Sequence, residues 1–66
     1  MMSSNERNIL RTLVRFNKGN GLMIAPSSRE ARAIRRMIPK GWVRTKEAGV
    51  LLLAIITDNG RAALQA

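Results

Sequence analysis

Hydrophobic positions recur at helical spacing in the first stretch of the chain. Ile9, Leu10, Leu13, Val14 and Phe16 lie within one side of a 3.6-residue helix. Arg7, Arg11 and Arg15 follow at four-residue steps on another side. Ser3-Ser4-Asn5-Glu6 has the Ser-x-x-Glu spacing in which each side chain satisfies the other residue's backbone amide. Asn17-Lys18-Gly19-Asn20-Gly21 is a dense stop signal. The pattern predicts a helix from about Ser4 to Asn17. Leu22-Met23-Ile24-Ala25 then reads as a brief strand or an extended connector, because Ala25 precedes Pro26 and is biased away from helix.

A second Ser-x-x-Glu spacing, Ser27-Ser28-Arg29-Glu30, predicts a helix that runs to about Ile38 and stops before Pro39. On it Ala31, Ile34, Met37 and Ile38 share one arc. Ser28, Arg29, Arg32, Arg35 and Arg36 occupy the opposite arc. Pro39-Lys40-Gly41 breaks this helix. Trp42 to Lys46 reads as a strand, Lys46-Glu47-Ala48-Gly49 as a polar turn, and Val50 to Thr57 as a second strand, apolar enough to be covered in part on both faces. The two strands make a hairpin. Thr57 or Asp58 caps a last short helix, Asn59 to Gln65. The expected fold is one α+β domain over residues 1–66, in the order helix, short strand, helix, β-hairpin, helix.

Charge sharpens this outline. Twelve Lys and Arg face four Asp and Glu, a formal net charge of +8, while 45% of residues are hydrophobic. That apolar content is too high for a disordered basic tail, so a folded module with a polyanionic partner is expected. The chain has no cysteine and no histidine. Disulfides, the usual Cys/His zinc site, a Cys nucleophile and a His-based triad are thereby excluded. Glu6, Glu30, Glu47 and Asp58 each sit at a cap or turn, so no acid pair is left for catalysis. Gly19-Asn20-Gly21 lacks the Gly-Lys-Ser/Thr of a phosphate loop. Neither an enzyme nor a cofactor is expected. The longest apolar run spans residues 49–56, far short of the roughly 20 that a membrane helix needs. A cytoplasmic protein with no membrane partner is the expectation.

Two stretches resemble a known family. Ser28-Arg29-Glu30-Ala31-Arg32-Ala33-Ile34-Arg35-Arg36-Met37-Ile38-Pro39-Lys40-Gly41-Trp42-Val43 is similar to the recognition helix and following strand of winged helix-turn-helix regulators of the MarR type. Ile56-Thr57-Asp58-Asn59-Gly60-Arg61-Ala62-Ala63-Leu64 resembles the "Leu-Thr-x-x-Gly-Arg-x-x-Leu" segment that leaves the wing in that family. The resemblance covers about residues 27–66. It implies a small winged-helix-like domain and a role in transcription regulation. The family has two helices between its first helix and the hairpin. Here the positioning helix is missing or reduced to a connector.

The candidate DNA contacts are Ser28, Arg29, Arg32, Arg35, Arg36, Lys40, Arg44 and Lys46. An arginine face with Glu30 as its one acid lacks the Glu/Lys pairing of an ordinary solvated helix face. Arginine also suits phosphate and the guanine O6/N7 edge. Arg7, Arg11, Arg15 and Lys18 form a second basic stripe, which either touches backbone phosphate or only solubilises the helix. Trp42 reads as a core or interface residue, and Met23 and Met37 as gap fillers in the core. Double-stranded DNA is the first expected partner, bound by a monomer or by a homodimer on a two-fold site. An acidic protein is the second, suggested by the absent helix and the apolar Val50–Ile56 segment. Structured RNA is the third.

Overall fold

Serine hydroxyls set where the helices begin. In the computed structural model, which describes residues 2–66 and so leaves Met1 outside, α1 spans Ser4–Arg15. Ser3 is its N-cap. The Glu6 amide donates to Ser3 Oγ at 3.1 Å, and the Ser3 amide donates back to Glu6 Oε1 at 2.9 Å. This is the reciprocal box read from the sequence. The α-helix ends at Arg15, short of the expected Asn17, because the chain tightens into a 3-10 turn over Phe16–Gly19. Phe16 takes extended backbone angles (φ −70°, ψ 129°), which swing its ring off the apolar stripe. Phe16 therefore stands 51% exposed and does not join the core.

A three-residue strand, β1 (Leu22–Ile24), follows directly. The next helix, α2, spans Arg29–Met37, and its cap corrects the expected one. Ser28 is the N-cap, so Glu30 falls one position short of closing a second reciprocal box. The Ala31 amide donates to Ser28 Oγ at 3.1 Å, and that hydroxyl donates to the Ala25 carbonyl at 2.7 Å. Ser27 is instead taken up by a turn in which the Ser28 amide donates to the Ala25 carbonyl. No second α-helix stands between α1 and α2. Helix α2 stops before Pro39, as expected, with Ile38 as its C-cap, and the chain continues as a turn through Pro39 and Lys40. The Trp42 amide reaches the Met37 carbonyl, the Gly41 amide reaches that of Ile38, and Gly41 sits at φ +78°. This crossed pair of bonds around a left-handed glycine satisfies the last carbonyls of the helix.

Strands β2 (Val43–Ala48) and β3 (Leu51–Ile56) form the hairpin. Its turn is two residues long, Gly49-Val50, where a longer polar turn was expected. Positive φ at Gly49 and not at Val50 follows the type II′ pattern, whose twist matches that of the strands. The sheet is antiparallel throughout, in the order β1-β3-β2. Helix α3 (Asp58–Gln65) closes the chain, capped by Thr57, whose Oγ1 accepts from the Gly60 amide at 3.0 Å and donates to the Gly41 carbonyl. The result is an α+β domain of three α-helices on a three-stranded sheet.

The register assigns every strand residue to a face. Leu22 opposes Ala54, Ile24 opposes Leu52, and Val43 opposes Ile56. These six face the helices; five of them join Leu10, Leu13, Ala31, Ile34 and Met37 in the core, and the half-buried Leu22 packs against it. Met23 opposes Leu53, Arg44 opposes Ile55, Lys46 opposes Leu53, and Ala48 opposes Leu51. These seven point away from the helices, since successive strand residues alternate sides. Met37 is buried as expected. Met23 is 44% exposed, because the odd position of a short strand has only the outer side to occupy. The outer face of β3, expected to be covered in part, keeps Leu51 exposed and Leu53 and Ile55 half-buried.

Candidate nucleic-acid interface

Helix α2 carries the densest charge. Arg29, Arg32, Arg35 and Arg36 are all exposed, while Ala31, Ala33, Ile34 and Met37 are buried beneath them. The alternation of charged and apolar residues along α2 makes this division: burying one arc forces the other outward. Among the described residues the one salt bridge joins Lys40 to Glu6, so no carboxylate neutralises the four guanidinium groups. Arg35 and Arg36 lie in the last turn, where the helix dipole favours cations, and Arg29 lies in the first, where it does not.

The other predicted contacts divide among three places. Ser28 is half-buried, and its hydroxyl is engaged in capping α2. Lys40 Nζ lies 3.1 Å from Glu6 Oε2 and 4.8 Å from the centre of the Trp42 ring. It braces the end of α2 against the start of α1. Trp42 is half-buried and packs on the core beneath this lysine. Arg44 and Lys46 are exposed on the outer face of the sheet, the side away from α2. The hairpin tip, Gly49-Val50, carries no cation, and Val50 is 87% exposed.

On α1, Arg11 and Arg15 are exposed, as is Lys18 in the turn that follows. Arg7 has a different role. It is half-buried and donates through Nη1 to the Leu64 carbonyl at 3.0 Å, tying α1 to the end of α3. Arg61 of the expected Gly-Arg pair packs back on the turn after α1. Its guanidinium lies so close to Gly19 that a Cβ built there would fall 2.5 Å from Nη2.

Glu6 gives the cluster around α1 a pH dependence. The Ser3 amide, helped by Lys40, holds its carboxyl below the ordinary carboxylate value. A group whose folded pKa is depressed contributes stability above the unfolded pKa of about 4.3 and loses it as pH falls through the lower folded value. The melting temperature should thus fall as pH drops from about 5 toward 3. Glu6→Gln should lower it at neutral pH and flatten that dependence. An unchanged pH profile in thermal melts of the variant would refute this role.

Among the described residues no polar or charged side chain is buried, and no three His, Cys, Asp or Glu converge. A shallow depression of about 560 Å³ opens beside the start of α3, lined by Gly41, Arg44, Ile56, Thr57, Asp58 and Asn59. No helix of the described chain is long and apolar enough to cross a membrane. Helical periodicity found the α2 face. It missed the outer sheet face, because both parities of β3 are apolar; alternation of Arg44, Lys46 and Val43, Thr45 on β2 was the available signal. No protein-family model, curated protein or solved structure matches the chain.

Proposed function

We propose that this protein binds duplex DNA through α2 and acts as a small winged-helix-like regulator of transcription, alone or as two copies on a two-fold site. The observation that carries the reading is the arginine face of α2: four exposed guanidinium groups on a capped helix with no carboxylate partner. Held apart by the helix, such groups repel one another, and a polyanion relieves that repulsion. A helix also fits the width of the major groove, where arginine pairs bidentately with guanine. With no positioning helix, α2 is braced by α1 and by the inner face of the sheet, through Ile34 and Met37. The cation-free hairpin tip leaves base reading to α2. All the charged chemistry lies on the surface, which suits recognition and not catalysis.

Binding should depend steeply on salt. Four to six phosphate contacts give a slope of about −4 to −5 in log affinity against log salt concentration. Arg32→Ala or Arg36→Ala should cost about 1–3 kcal/mol on a selected site and much less on a scrambled duplex. Arg11→Ala should weaken both duplexes alike and reduce the slope by about 1. All three positions are exposed, so stability should change by less than about 0.5 kcal/mol. Fluorescence titration of each variant against both duplexes makes the comparison. Equal losses everywhere would reduce the arginines to bulk charge, and a flat salt dependence would remove DNA as the ligand.

A further inference from the structure

The outer face of the sheet has no helix upon it. Its row along β3 is Leu51, Leu53 and Ile55, with Met23 beside it on β1 and the cations Arg44 and Lys46 beside it on β2. Met23 and Leu51 are 44% and 38% exposed. Leu53 and Ile55 are half-buried and lie against the buried Gly21, where a Cβ would meet Leu53 Cδ1 at 2.7 Å. No carboxylate occupies an outward position on any of the three strands. The face is thus an apolar strip with a cationic flank, on the opposite side of the sheet from α2.

We propose that this face docks an amphipathic, acidic helix of a partner protein. Three strands about 4.8 Å apart, of which β2 and β3 are six residues long and β1 three, offer a strip about 10 Å wide and about 17–20 Å long along β3. One helix of about three turns matches those dimensions. Laid along β3, its apolar side meets Leu51, Leu53, Ile55 and Met23. Its flank meets Arg44 and Lys46, whose two-residue separation of about 6.6 Å suits carboxylates one helical turn apart. The charge selects the occupant. A second copy brings +8 of its own and no outward carboxylate to this face. Phosphates gain nothing from the leucines. An acidic helix satisfies both parts of the surface, and α2 stays free to hold DNA at the same time.

The test uses the whole chain and a labelled synthetic peptide with Leu at helical spacing and Glu along one flank. Fluorescence anisotropy measures its binding. Controls are a peptide with Lys in place of Glu, a scrambled peptide, and vesicles of phosphatidylserine. The Leu/Glu peptide should bind, and neither control peptide should. Lys46→Glu should weaken the complex by about tenfold. Leu51→Ser should weaken it too, with an unchanged melt, and Arg32→Glu on α2 should not weaken it comparably. Binding of the scrambled peptide at the same strength would overturn the proposal. So would equal weakening by Arg32→Glu, self-association that Leu51→Ser abolishes, a stronger attachment to vesicles than to the peptide, or no binding at millimolar peptide.

Discussion

Gly60→Ala is expected to lower the stability of the protein by about 2 kcal/mol or more. Gly60 is buried in the first turn of α3 and lies flat against the chain at Trp42. A Cβ added there would overlap the Trp42 carbonyl oxygen and sit 2.8 Å from Ile56 Cγ1 and 3.0 Å from the Trp42 carbonyl carbon. Two of these three are backbone atoms, which cannot swing aside as a flexible side chain can. The Trp42 carbonyl also accepts from the Thr57 amide, so moving it breaks the bond that enters α3. Alanine gains about 1 kcal/mol of helix propensity over glycine, and overpacking against backbone costs about 3 kcal/mol or more. A domain of this size has about 3–10 kcal/mol in total. The clash wins, and the loss is a large share of the whole. Thermal melting by circular dichroism measures it. An unchanged or higher melting temperature would show that α3 does not press on Trp42.

The second large effect is expected at Ile34→Ala, with a loss of about 2–5 kcal/mol. Ile34 is 1% exposed and belongs to a core cluster of ten residues. In so small a cluster the cavity left by three carbons has few neighbours able to collapse into it. Its sequence neighbours give the contrast. Arg35 and Arg36 stand in water, and their truncation should barely alter stability. Urea unfolding of the three variants tests the inward and outward sides of α2 together. A loss at Ile34 below about 1 kcal/mol would mean that α2 is not seated on the sheet.

Much of this fold was legible because local and tertiary preferences agree. Ser3 and Glu6 form the expected box, and the Leu10/Leu13 pair and the Ile34/Met37 pair are buried as their spacing predicts. The errors have physical causes. Two adjacent serines compete for one cap, and the turn through Pro26 decides for Ser28. Phe16 fits the helical period, but the backbone leaves that period one residue earlier. The hairpin ends shifted because Ala48 and Leu51 pair across a two-residue turn that composition alone does not distinguish from a longer one. Among the candidate site residues, the α2 arginines could be grouped from one helix's period. The separation of Arg44 and Lys46 from them required the sheet register, which depends on contacts between distant segments. Lys40 and Arg7 look like free surface charge in the sequence, and only the packing of α1 reveals their partners.

The pairings of β1 with β3 and of Arg7 with Leu64 also govern the order in which the chain can fold. Leu22–Ile24 bonds only to residues 52–54, and Arg7 closes on a carbonyl 57 positions away. Both β1 and the Arg7 turn of α1 therefore wait for partners made much later. Residues 2–41 alone have no strand for β1, no α3 for α1 and no inner sheet face for α2. A fragment ending there should be unfolded, and the span from α1 to α3 should form in a single cooperative step. Such distant closures carry a large loop entropy, which slows folding relative to a helical bundle of equal length.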